Sequence, residues 1–230
     1  MSTVLSFDTS ADFCAAAVVR DGSVLAAKSV PMARGHAEAL VPLIQELCAG
    51  ASIGFPDIDL IGVTVGPGSF TGVRTGLSAA KGFALAAGCP AIGVSSLQAV
   101  AVGAANECAT AILAVLDTRR NDYFAQLFDA EAQPVGEPAV LDAERICDLI
   151  RIHHPVVTGN ALTRFQAELG STLQDDFVFL PGPGVPAPAD VACLAERILN
   201  IGGLASGTLS PLYLRAPEAS IPPGGGRLKY

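Results

Sequence analysis

Two kinds of apolar pattern run along this chain. Over 4–7, 13–20, 23–30 and 58–65 the apolar residues form short runs rich in β-branched and small side chains, as buried strands require. Asp21-Gly22 separates the second run from the third. Asp-Gly between two apolar runs predicts a hairpin, because glycine accepts the positive φ of a tight turn. Over 37–47 the period changes: Leu40, Leu43, Ile44 and Leu47 recur at helical spacing. Beyond the strand at 58–65 the pattern predicts a glycine-rich loop, a helix over 71–87 and a short strand over 91–94. A helix to about 107 follows, with Ser95 and Ser96 as caps. The order of this half is βββαβα.

The second half repeats that order with little identity. An apolar run over 112–116 ends at Asp117-Thr118, as the run over 4–7 ends at Asp8-Thr9. Strands are predicted over 123–128 and 138–141, and Asp142 caps a helix to about 150. A strand at Val156-Val157 ends in Thr158-Gly159-Asn160, and a helix runs on to about 170. A further strand is expected over 177–180 and a loop over 181–188. A helix over 190–200 carries Val191, Leu194, Ala195, Ile198 and Leu199 on one face. The expected division is a first lobe over 1–107 and a second over 108–230. The Pro/Gly-rich tail from 217 is expected to be mobile.

The most specific feature is Gly66-Pro67-Gly68-Ser69-Phe70-Thr71-Gly72-Val73-Arg74, at a strand-to-helix junction. Glycines there permit tight turning and close approach, and two readings follow. Freed backbone N–H groups at a helix start can cradle an anion. Alternatively, the loop is a structural turn packed beneath another element. Both common nucleotide fingerprints miss. G-x-x-x-x-G-K-S/T fails because Val73 and Arg74 follow Gly72, and G-x-G-x-x-G fails by one residue. The following helix shows a surface largely of small residues at helical spacing: Gly72, Thr75, Gly76, Ala79, Ala80, Gly82, Phe83 and Ala86. Glycine inside a helix costs about 1 kcal/mol against alanine, so Gly76 and Gly82 imply compensating close packing. That packing is either within this chain or against another subunit.

The nine-residue loop resembles the signature of the TsaB (YeaZ) family, and His36-Ala37-Glu38, Lys81-Gly82 and Gly93-Val94-Ser95-Ser96-Leu97 match it as well. Looser matches are Gly159-Asn160 and Pro211-Leu212-Tyr213-Leu214-Arg215. The resemblance implies a two-lobed α/β fold of the actin-like ATPase (Hsp70/sugar kinase-like) class, a duplicated βββαβα. It implies a non-catalytic scaffold needed to place threonylcarbamoyl on adenosine 37 of tRNA. The partner would be a TsaD homologue, with a TsaE homologue joining at their junction, and a homodimer through the same helices is the variant. The chain would meet tRNA only within that complex, and ATP and metal would sit on the partner subunits, none on this chain. The expected partner interface is the first two helices of the first lobe: Leu40, Leu43, Ile44, Leu47, Gly72, Thr75, Gly76, Ala79, Ala80 and Phe83. The loop Gly66, Pro67, Gly68, Ser69, Phe70, Thr71, Gly72 and Arg74 is expected to be structural. Asp8, Thr9 and Ser10 are the candidates for residual nucleotide binding, since active members of the fold use an acidic residue at this point. The local alternative is an Asx turn, and the same choice applies at Asp117-Thr118.

Composition narrows these options. Among 230 residues, 22 are acidic and 14 basic, for a net charge of −8. That balance disfavours a main tRNA-binding surface, because phosphate neutralisation drives such binding; Arg119 and Arg120 are the places where RNA phosphate could be met. Cys14, Cys48, Cys89, Cys108, Cys147 and Cys193 lie far apart with no C-x-x-C pair, so buried reduced thiols are expected in place of zinc or disulfides. His36 and Glu38 are two apart and diverge on a helix, and His153-His154 diverge likewise, so no metal site is expected. Ser69 lacks the G-x-S-x-G setting of a hydrolase nucleophile. No catalytic residue is assigned. The alternatives are an autonomous actin-like ATPase or kinase working through Asp8, and a glycopeptidase-like enzyme. The opening strand without a leader, and the lack of a long apolar span, predict a cytoplasmic chain with no membrane contact.

Overall fold

The computed structural model describes residues 2–169, 177–182, 184–202 and 209–215. It contains two five-stranded sheets. In the first, β1 (Thr3–Asp8), β2 (Phe13–Arg20) and β3 (Ser23–Pro31) form an antiparallel meander, and β4 (Leu60–Gly66) and β5 (Ala91–Ser95) add in parallel, giving the order β3-β2-β1-β4-β5. The turn between β2 and β3 has positive φ at both Asp21 (47°) and Gly22 (75°), as a two-residue hairpin turn of type I′ needs. Helices α1 (His36–Gly50), α2 (Phe70–Ala87) and α3 (Ser96–Ala105) fill the connections.

The second sheet comprises β6 (Ile112–Asp117), β7 (Tyr123–Phe128), β8 (Ala139–Leu141), β9 (Val156–Thr158) and β10 (Val178–Phe179). Its order, β8-β7-β6-β9-β10, repeats that of the first. Helices α4 (Ala143–His153) and α5 (Leu162–Leu169) belong to it. The duplication is therefore one of topology, and each half carries a fifth strand beyond βββαβα. The expected Pro/Gly tail from 217 lies outside the described residues.

Strand alternation sorts the side chains into layers. In β1, Leu5 and Phe7 enter a core with Leu40, Ile44, Val73 and Leu77 of α1 and α2. Val4 faces the other way, into a shared core with α3, Leu116 and Phe128 of the second sheet. A third core joins Leu113, Val115 and Tyr123 to α4 and α5. The shared core also takes Val191, Leu194 and Ala195 from α6 (Pro188–Asn200). This last helix, expected in the second lobe, packs on β1, β2, β4 and β5 of the first sheet. Ser6 Oγ, buried in β1, donates to the Pro188 carbonyl at 2.6 Å and fixes the start of the helix there. α1 and α2 form one outer layer of the molecule, and the edge strand β3 stays largely exposed.

All six cysteines are free thiols. Cys14, Cys48 and Cys147 are buried, but Cys193 is exposed, against the expectation that the thiols are buried. No described helix is long and apolar enough to cross a membrane.

Candidate functional site

The glycine loop is closed by its own chain. Ser69 caps α2, its Oγ accepting from Gly72 N at 3.3 Å, while Ser69 N donates to the Ser10 carbonyl at 2.7 Å. Thr9 Oγ1 donates to the Gly72 carbonyl at 2.7 Å. A Cβ added to Gly68 would stand 2.5 Å from Ser10 O, and one added to Gly72 would stand 1.9 Å from Thr9 O. At Gly76 it would meet Thr9 Oγ1 at 2.8 Å. These glycines are thus required by the β1–β2 loop pressing on the start of α2. Gly66, at φ 101°, turns the chain beside Leu212 O, and Pro67 follows it through a cis bond. Phe70, Thr71 and Arg74 point outward.

Asp8 is wholly buried. Its Oδ1 accepts from Ser10 N at 2.9 Å, an Asx turn, and from Thr64 Oγ1. Its Oδ2 has no hydrogen-bond partner among the described residues. Burial pushes the Asp8 carboxyl above the usual range, with the hydrogen bonds from Ser10 and Thr64 and the charge of His36 opposing the rise. Burial, with Asp8 nearby, pushes the Cys14 thiol up to about 11. Ser10 Oγ lies 3.1 Å from Ser96 Oγ at the start of α3, so the three candidates Asp8, Thr9 and Ser10 are all engaged inside the fold. The small cavity beside them, about 200 Å³, is lined by Ser10, Asp12, Ser69, Arg119 and Asn160 among others, and the Arg119–Asp12 ion pair joins its two hairpin loops. That volume is below the roughly 300–1,000 Å³ of small-molecule sites.

A larger cavity of about 580 Å³ opens between Pro67–Phe70, Asp117–Arg120, Phe124 and the segment Leu212–Arg215. The guanidinium groups of Arg119 and Arg215 pair there with Asp12 and Asp122. Among the described residues, no group of three His, Cys, Asp or Glu side chains is placed to hold a metal ion.

The expected interface residues need correction. Leu40, Leu43, Ile44 and Leu47 are at most 6% exposed and form the core beneath α1. A helix lying on a sheet spends its apolar stripe on that sheet. Gly72, Gly76 and Ala80 are buried as well, packed inward against the Thr9 loop and β4. Phe83 stacks on Phe55 at 5.5 Å and meets Phe7 edge-on. Gly82, expected to mark close packing, has open space around it. Of that set only Thr75 and Ala79, with the edge of Leu40, reach the surface groove between α1 and α2. The groove is about 550 Å³, and Ala37, Val41, Phe70, Thr71, Arg74 and Ser78 complete it. Val41 and Phe70 are 43% and 42% exposed. Sequence reasoning missed Ala37 and Val41. The available signal was an apolar residue lying off the helix's own core stripe, as Val41 does.

The two sheets, their repeated order and the cleft between the hairpin loops define an actin-like α/β protein. Solved structures agree. YeaZ from Pseudomonas aeruginosa superposes with a TM-score of 0.77 at 26% identity, over 93% of this chain and all of that one. A ROK hexokinase from Thermus thermophilus gives 0.56 at 13% identity, over 86% of this chain and 99% of that one, a likeness of fold alone. The family model of TsaD, tRNA N6-adenosine threonylcarbamoyltransferase, matches residues 30–192. The Escherichia coli tRNA threonylcarbamoyladenosine biosynthesis protein TsaB is 33% identical over 224 residues, 92% of this chain and 94% of that one. The chain belongs to the TsaB (YeaZ) family.

Proposed function

We propose that this chain is a non-catalytic subunit in the biosynthesis of threonylcarbamoyladenosine in tRNA, and that it docks a TsaD homologue through the groove between α1 and α2. Support comes from the full-length likeness to a relative named for that biosynthesis. The observation that supports the reading is the closed glycine loop: at the start of α2, Ser69 N and Gly72 N already donate to Ser10 O and Ser69 Oγ, and Thr9 O lies against Gly72, so these groups are engaged within the chain. Chemistry, ATP and metal then fall to partner subunits, the TsaD homologue and a TsaE homologue at their junction. tRNA is met only in the assembled complex, in keeping with the acidic balance of the chain.

The test is the mass in solution of the purified chain mixed with its TsaD homologue. A one-to-one complex is expected, and Val41→Asp, which places a charge in the groove, should abolish it. Failure of the wild-type chain to bind would overturn the reading. ATP turnover by the chain alone that disappears in Asp8→Ala would replace it with the ATPase or kinase reading, and glycopeptide cleavage would replace it with the peptidase one.

A further inference from the structure

Arg74 lies at the end of the α1–α2 groove, where the segment carrying Tyr213 crosses the start of α2. Its guanidinium carbon is 3.8 Å from the centre of the Phe70 ring and 5.9 Å from that of Tyr213. The two rings stack at 5.3 Å. Arg74 Nε donates to the Tyr213 hydroxyl at 2.8 Å, which fixes the guanidinium plane and leaves its outer pair of nitrogens as a fork. Tyr213 is itself anchored through its neighbours: Leu212 N donates to Val65 O at 2.8 Å, Leu214 packs into the shared core and Arg215 pairs with Asp122.

Arg74 is exposed at the groove edge, with its guanidinium over the Phe70 and Tyr213 rings. Arg119, Arg164 and Arg215 at this end of the molecule each pair with an aspartate, whereas Arg74 has no carboxylate in ion-pairing distance among the described residues. The groove it borders is lined by apolar and hydroxyl side chains and by no acidic one. In a chain of net charge −8, this is an apolar groove with a single, pre-set cation at its edge. Rigid aromatic and arginine anchors of this kind carry a large share of binding energy at interfaces.

We propose that Arg74 is the charged anchor of this groove, held in position by Phe70 and Tyr213, and that it takes a carboxylate presented by an amphipathic helix of the partner. The inference rests on the groove being the docking surface. Charge complementarity selects the occupant: apolar side chains for the Ala37–Val41–Ala79 wall and an Asp or Glu one turn away for the fork. Tyr213 acts as a positioning residue.

The experiment is calorimetric titration of the full chain with its TsaD homologue at low and high salt, with the thermal midpoint of each variant measured alongside. Arg74→Gln should bind about tenfold more weakly or worse, with a flatter salt dependence. Arg74→Lys should not restore binding, since an ammonium lacks the fork. Tyr213→Ala should weaken binding at an unchanged midpoint, and Tyr213→Phe, which keeps the stack, should lie between it and the wild type. Wild-type affinity in Arg74→Gln overturns the proposal. If Val41→Asp abolishes binding and Arg74→Gln does not weaken it, the anchor is wrong and the groove stands. If neither changes affinity, both readings fall. A homodimer of the chain that Arg74→Gln dissociates, with partner binding untouched, makes the occupant a second copy and overturns the proposal as stated.

Discussion

Asp8 and Asp117 end equivalent strands of the two sheets and make the same local turn, but the fold treats them differently. Each accepts through Oδ1 from the backbone N–H two residues on, Ser10 at 2.9 Å and Arg119 at 2.7 Å. Asp117 stays partly exposed and pairs with Arg164 at 3.1 Å. Asp8 is sealed in, with Thr64 as its other donor and one oxygen unpartnered among the described residues. The Asx turn is thus a property of the sequence Asp-Thr, whereas the carboxyl's chemistry is set by what the rest of the chain stacks over it. At Asp8 that cover includes Thr64 of β4 and the Ser10 turn, which Ser96 holds at the start of α3; at Asp117 the turn borders open cavities.

Removing the close approach gives the largest expected effect. Gly72→Ala places a methyl group 1.9 Å from Thr9 O, so the loop or helix must move, and we expect a loss of about 3 kcal/mol or more in chemical denaturation. Gly82→Ala, in the same helix with open space around it, should instead stabilise by about 0.5–1 kcal/mol. Equal losses at both sites would show that the glycines do not mark the packed end of α2.

The two aspartates offer the next contrast. Asp8→Ala strands the Thr64 hydroxyl and the Ser10 N–H in a dry interior, at about 2–4 kcal/mol. Asp117→Ala leaves groups that water can reach and should cost about 1 kcal/mol or less. Paired unfolding curves of the two variants decide this, and similar costs would break the comparison.

The pH dependence of Asp8 sharpens it further. The folded pKa of Asp8 is raised, so the folded state holds the proton more tightly than the unfolded chain does. Its contribution is fully present below the unfolded value, near 3.8, and is lost as pH rises through the raised folded value. Asp8→Asn, which mimics the neutral acid, should therefore gain stability relative to wild type as pH climbs above about 4. A difference that is flat with pH would contradict a buried, proton-holding carboxyl.

Local patterns made much of this legible. The Asp21-Gly22 hairpin, the strands around Leu5 and Val63 and the repeated strand-to-Asp-Thr endings follow from residue type and period. What the sequence could not decide was direction. Leu40, Leu43, Ile44 and Leu47 form an apolar stripe whether it meets a sheet of the same chain or a partner's helix, and periodicity is the same in both cases. Gly72 and Gly76 likewise announce close approach without saying to what; the answer, Thr9, lies 63 residues from Gly72 along the chain. The path of α6 back to the first sheet depends on long-range packing at Gly62 and Ser6 that no local pattern encodes.

The most direct test of the account is the rate of tRNA threonylcarbamoylation in a reconstituted system of this chain with its partner homologues, comparing Asp8→Asn with Val41→Asp. We predict that Asp8→Asn supports the wild-type rate, because Asp8 serves packing within the fold, and that Val41→Asp loses it, because the α1–α2 groove serves docking. An inactive Asp8→Asn beside a fully active Val41→Asp would contradict the account, moving function from the outer face of the helices to the buried end of β1.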